Sequence, residues 1–369
     1  MFGGLETIAD RLASGLAERG HEATLLAGVV PCRSSRRDFP SGVGVTRVPL
    51  LPNTWLVTRL LARALGTRPL NAQSLTFVGS CLAHRTARRQ LTGAQVVVTL
   101  LEGEAVLLSR YLASRGVGTI YYFSGGIDPG WAYRDRSTLR LAISETVADG
   151  CRREHAYRTD GVLVPGIARE LLEGPPAAER AGEPRLLYLG RLEDHQKRVT
   201  TLLPIVKALA PRFPALTLRL AGDGPTRSRL ERETRELGLA ERVIFRGALT
   251  AAEVHEELRQ ATLLLLPSSY ESFGIVALEA MAAGVPVVAS ELPALREATG
   301  DHAYLLPPED SALWVQTIGR LLGDDSERQA TAARGRAWAA RFTWDSVVDR
   351  FEQFAYQAAG PRAREAART

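Results

Sequence analysis

Two glutamates eight residues apart, Glu271 and Glu279, sit in the stretch ATLLLLPSSYESFGIVALEAMAAGVPVVAS, residues 261–290. Carboxylates bind hydroxyls well, because each oxygen accepts strong hydrogen bonds. Between them, Phe273-Gly274-Ile275 opens a helix, and the free N–H groups of a helix N-terminus form a ready anion site. Glu279 lies about one and a half turns further on, so one extended ligand can touch both carboxylates.

The elements that position these groups are readable from pattern. Leu263–Leu266 is an apolar run stopped by Pro267, as in a buried strand of a parallel sheet. A polar loop, Ser268 to Ser272, carries Glu271. A helix with Ile275, Leu278 and Ala282 follows, and Gly284 stands where a C-terminal glycine ends it. Val285–Ala289 reads as the next strand. Glu271 is thereby expected at the carboxyl edge of a sheet.

This stretch resembles the E-x7-E signature of retaining GT-B glycosyltransferases of the large family four group. Glu271, Phe273-Gly274, Leu278-Glu279-Ala280-Met281-Ala282 and Gly284 all fall in place. Three strands upstream resemble the same family's second domain in the right order: RLLYLGRL (185–192), ALTLRLAGDGP (215–225) and RVIFRGAL (242–249). The resemblance implies that Arg191 and Lys197 clamp a donor diphosphate, with Arg198 an alternative for the second role. Lys197 is hard to dismiss as a surface charge, since Lys197 and Lys207 are the only two lysines in the chain. Glu279 is implied to hold the donor ribose and Glu271 the transferred sugar. The loops at Gly222 and Arg246 are implied to lie near the base, and Gly3-Gly4 to approach the phosphates. Glycine suits such close backbone contact. Many members carry a His after the strand that here ends at Phe123; this chain has Ser124, so no catalytic histidine carries over.

The implied fold is α/β: GT-B, two Rossmann-like domains facing a cleft. The boundaries read as 1–165 for an acceptor domain, 166–184 for a linker and 185–342 for the nucleotide-sugar domain. A helix over 343–358 then crosses back to the first domain, and 359–369 is a disordered tail. Only Met1 and Phe2 precede the glycines, where the family has a first strand. The resemblance therefore implies a native start upstream, and an upstream-extended form is expected to be the more stable.

Composition bounds the rest. A chain of 369 residues implies two domains, and 45% apolar with 24% charged residues describes a soluble globular protein. No apolar run reaches the roughly 18 residues of a membrane span. Glu6 and Asp10 argue against a secretory signal. Cys32, Cys81 and Cys151 fit no disulfide or zinc spacing, which points to a reducing cytoplasm.

The net charge is +5, and the first half is the basic one, with arginines 59, 63, 68, 85, 88 and 89 and no acid over 51–100. No nucleic-acid-binding motif accompanies them. Residues 54–68 form a basic amphipathic stretch. It reads first as a core-packing helix and second as a peripheral contact with the inner face of a membrane.

The sequence therefore reads as a retaining, metal-independent hexosyltransferase. It would take a UDP- or GDP-linked sugar and a glycan, lipid-linked or small-molecule acceptor, with no cofactor, no metal and no nucleic acid. Two rivals fit the same residues. One is other GT-B chemistry, such as a sugar-nucleotide epimerase or a phosphorylase. The other is a non-catalytic nucleotide-sugar binding module.

Overall fold

Short apolar runs punctuated by glycine and proline alternate with amphipathic helices, and this alternation builds parallel sheets. The computed structural model describes residues 4–29, 42–49, 77–125, 135–174 and 183–360. Gly3, Cys32, the basic stretch 54–68, most of the linker's Pro-rich segment and the end of the tail lie outside the described residues. Two compact units are present. One is Gly166–Thr343; the other is the chain before it together with the segment from Trp344.

In the first unit, α1 (Gly4–Glu18) leads to β1 (Thr24–Val29) and β2 (Gly44–Pro49). Then come α2 (Arg85–Gly93), β3 (Val96–Thr99), α3 (Glu102–Ala113), β4 (Gly118–Phe123) and β5 (Leu139–Ala142). The last two are α4 (Glu145–His155) and β6 (Gly161–Val162). All pairings are parallel, in two separate groups among the described residues: β1-β2 and β3-β4-β5-β6. Ser144 caps α4, its Oγ accepting from Val147 N at 3.0 Å. The final helix, α12 (Trp344–Ala359), belongs to this unit. It lies so close to β4 that a Cβ on Gly118 would stand 2.3 Å from the Ala358 carbonyl oxygen. Arg19 ties to Asp349 at 2.6 Å and His21 to Glu352 at 2.5 Å.

At the carboxyl end of β3, α3 places Glu102 and Glu104 in its first turn. A helix N-terminus favours carboxylates, but burial dominates at Glu104 and pushes its pKa up to about 7. The folded protein therefore holds this proton across a window, from about pH 4.5 to 7, in which the unfolded chain has released it. The contribution of Glu104 to stability therefore falls as pH rises through that window. Glu104→Gln is expected to gain about 2 kcal/mol at pH 8, after allowance for partial exposure, and almost nothing at pH 4.5. Urea denaturation at the two pH values reads this directly, and an equal effect at both would exclude it.

The second unit is a six-stranded parallel sheet in the order β12-β11-β10-β7-β8-β9. Its chain order is β7 (Arg185–Leu189), α5 (Leu202–Leu209), β8 (Thr217–Ala221), α6 (Arg227–Glu236), β9 (Val243–Gly247) and α7 (Ala251–Gln260). It continues with β10 (Leu263–Leu266), α8 (Ile275–Ala282), β11 (Val287–Ser290) and α9 (Pro293–Thr299). β12 (Tyr304–Leu306), α10 (Ser311–Gly323) and α11 (Asp325–Ala339) complete it. Leu263–Leu266 are no more than 3% exposed. Burial on both faces is why β10 is a continuous apolar run, each leucine contributing about 1.5–3 kcal/mol. The α/β class with parallel sheets agrees with the reading from sequence.

One strand boundary differs. β11 starts at Val287 rather than Val285, because Val285 N donates to Ala280 O at 2.8 Å and Gly284 N to Met281 O at 3.0 Å. These two bonds form a Schellman motif with Gly284 left-handed at φ +74°, so Val285 still serves the helix end.

Candidate functional site

The strand order places the site. From β7 the chain steps outward to β8 and β9, then returns to the other side of β7 to lay down β10, β11 and β12. The reversal lies between β7 and β10, which pair directly through Leu186 and Leu187 with Leu263 and Leu264. In open parallel sheets, ligands bind at such a switch point, in the crevice beyond the carboxyl ends of the strands. The loop after β7 carries Arg191 and Lys197, and the loop after β10 carries Glu271.

The two loops meet. Lys197 Nζ lies 2.7 Å from Glu271 Oε1, with the side chains 24% and 14% exposed. The fully buried Ser268 donates its Oγ hydrogen to the same oxygen at 2.8 Å. Ser269 closes the seam, its N–H donating to Gln196 O at 2.7 Å and its hydroxyl to His195 O at 2.9 Å.

The 193–197 loop is shaped by Glu193. Its carboxylate accepts from the backbone N–H groups of His195 (3.1 Å), Gln196 (2.9 Å) and Lys197 (3.0 Å). Asp194 next to it accepts from Thr200 N and Thr200 Oγ1. These carboxylates fix the backbone from which Lys197 projects.

Arg191 is exposed and makes no side-chain ion pair among the described residues. Its carbonyl accepts from Tyr188 Oη at 2.8 Å. Burial first, then the charge of Glu271, raises the Tyr188 pKa far above its ordinary value, so this hydroxyl remains a donor. Arg198, the alternative to Lys197, is committed elsewhere. It takes a left-handed backbone (φ +49°) and reaches Glu309 at 3.0 Å and the Pro308 carbonyl at 3.1 Å.

Gly274 caps α8 at φ +98°, where a Cβ would also meet Leu295 Cδ2 at 2.6 Å. That turn leaves the first N–H groups of α8, from Ile275 onward, at the sheet's carboxyl edge. Phe273 is 2% exposed and packs towards Phe342, so only its backbone is available to a ligand. Glu279 lies partly buried on α8, four residues after Ile275. Gly222 follows β8 and donates to Gly247 O at 2.8 Å. The Arg246 guanidinium is held by Glu257 at 2.6 Å, and Glu257, 4% exposed, is shared with Arg219 at 3.0 Å. The Arg246 side chain thus serves an ion-pair network. Gly4 begins α1 in the other unit. No group of three or more His, Cys, Asp or Glu side chains among the described residues could hold a metal ion.

The structure brings Lys197, Glu271 and the N-terminus of α8 to one switch point. Sequence reasoning missed Glu193, Ser268 and Ser269. Ser268 lies inside the recognised stretch, three residues before Glu271. Glu193 had the signal of a carboxylate two to four residues before three turn N–H groups, a pattern common to polar loops and therefore weak alone.

Residues 175–338 match the family model for glycosyl transferases group 1. A phosphatidyl-myo-inositol mannosyltransferase of Mycobacterium leprae is 32% identical over 238 residues, which is 62% of this chain and 61% of that protein. The match thus spans less than two thirds of that relative. Sucrose-phosphate synthase from Thermosynechococcus elongatus has a similar structure, with TM-score 0.76 at 20% identity over 95% of this chain and 92% of the other. Anabaena HepE, solved in complex with UDP and glucose, gives TM-score 0.70 at 18% identity over 95% of both chains. The chain therefore has the GT-B glycosyltransferase fold, and residues 175–338, within its second unit, are similar to glycosyl transferases group 1.

Proposed function

We propose that this protein transfers a hexosyl group from a nucleoside diphosphate sugar, UDP- or GDP-linked, to a glycan, lipid-linked or small-molecule acceptor, with retention and without a metal. The observation that carries this reading is the meeting of Lys197 and Glu271 at 2.7 Å on the two loops that flank the switch point of the second unit. A diphosphate leaving group needs positive charge aimed at the oxygens on which charge develops. Arg191, Lys197 and the first N–H groups of α8 supply it. Glu271 accepts from hydroxyls of the transferred sugar, and Glu279 from the ribose.

Retention follows if acceptor and leaving group use one face. The bond from the anomeric carbon to the diphosphate oxygen breaks and the acceptor oxygen bonds to that carbon. The freed phosphate oxygen then takes the acceptor's proton, and no side-chain base is required. The domain matched over 175–338 and the UDP and glucose bound to Anabaena HepE support a nucleotide-sugar donor. An epimerase would turn over without an acceptor and a phosphorylase would require phosphate, so glycoside formation with release of nucleoside diphosphate separates the three.

The test is thermal stabilisation by UDP, GDP, ADP and dTDP, each beside Glu279→Ala. At about 100 times its dissociation constant a ligand adds about 2.7 kcal/mol to stability. One nucleotide is expected to stabilise the wild type and not Glu279→Ala. Stabilisation by none of the four would exclude the reading.

A further inference from the structure

The cation assigned to the diphosphate is engaged by a carboxylate within the protein. Lys197 pairs with Glu271 and with no other carboxylate among the described residues. The carboxylate is used unevenly. Its Oε1 takes both Lys197 Nζ at 2.7 Å and Ser268 Oγ at 2.8 Å, whereas Oε2 has no bond among the described residues. Because Glu193 holds the Lys197 backbone and Ser268 holds Glu271, the pair is built into the two loops.

We propose that Glu271 is a specificity-determining residue that makes the site prefer the sugar-bearing nucleotide over the bare nucleoside diphosphate, by competing with the diphosphate for Lys197. The proposal rests on the donor site assigned above. A bare diphosphate that draws Lys197 away leaves Glu271, a mostly buried carboxylate, with Ser268 as its one hydrogen-bond donor and new negative charge nearby. Both effects weaken binding. A nucleotide sugar brings hydroxyls to the same carboxylate and replaces what it loses. The cost therefore falls on the product nucleotide, and once the sugar has gone Glu271 reclaims Lys197 and speeds release. Product release limits turnover in many enzymes.

The experiment is calorimetric titration of the wild type, Glu271→Gln, Lys197→Met and the double variant. The probes are UDP, GDP, ADP and dTDP and the glucose conjugate of each. Glutamine keeps the shape and removes the charge, and Glu271→Ala provides a second route to the same comparison. The nucleoside diphosphate that binds the wild type is expected to bind Glu271→Gln about five- to tenfold more tightly, the scale of one charge-assisted contact. Its glucose conjugate is expected to gain nothing or to weaken. The gain should vanish when Lys197 is methionine, as the cycle requires for coupled residues. Unchanged or weaker diphosphate binding in both Glu271 variants would overturn the proposal, as would a gain that persists without Lys197. A wild type that binds none of the eight probes overturns the donor site itself, an outcome distinct from either.

Discussion

Glu271→Ala is expected to lower sugar transfer by at least about a thousandfold while the protein stays folded. The residue lies on a loop, its side chain 14% exposed, and its bonds run to Lys197 and Ser268 and to no core strand. Removing it leaves Lys197 a side chain with 24% exposure and access to water, so the stability cost is small. The kinetic cost is large. Glu271 is assigned the hydroxyls of the sugar at which the bond breaks, and a misplaced reacting centre costs about 100-fold per ångström of error. Loss of a single stabilising contact in a preorganised site adds a further hundred- to thousandfold. The measurement is turnover of the nucleotide sugar beside a thermal melt of the same sample. Activity within tenfold of wild type would remove Glu271 from the chemistry, and a collapsed melt would instead make its role structural.

Gly222→Ala is expected to destabilise the protein by about 3–5 kcal/mol. Gly222 has φ +140°, a region costly for any residue with a Cβ. Its built Cβ would stand 1.8 Å from the Gly190 carbonyl oxygen, so one of two loops would have to move. Neither is free to do so. Gly190 N donates to Ala221 O at 3.0 Å, Leu192 N to Asp223 O at 3.0 Å and Gly222 N to Gly247 O at 2.8 Å. Strain of about 1–3 kcal/mol adds to an overpacking cost of similar size. The movement would also displace the loop that carries Arg191 and Lys197, so nucleotide binding should be lost along with stability. Chemical denaturation with a nucleotide titration reads both, and a variant within 1 kcal/mol of wild type would show that the two turns can separate.

Much of this protein is determined locally and is therefore legible in the residues themselves. Leu263–Leu266 reads as a strand because a run of four leucines stopped by Pro267 is too short for a helix, and burial on both faces accounts for its being apolar throughout. Gly284 must end α8, since the left-handed turn there favours glycine. The Glu271-to-Glu279 stretch carried its resemblance in one continuous segment, so the carboxylates were found without knowledge of the fold. Tertiary structure decided the partnerships. Lys197 and Glu271 are 74 residues apart; they meet because β10 returns to the side of β7 that β8 left open, and no local pattern records on which side a strand will pair. The same holds for Arg198, which the resemblance offered as an alternative to Lys197, and for Arg246, whose loop it implied to lie near the base. Glu309 and Glu257, brought near by the fold, engage both. Ser268 and Glu193 show the converse. Their hydrogen bonds are short in sequence, but their importance depends on what the neighbouring loop presents to them, and that is known only once the sheet has brought the two loops together.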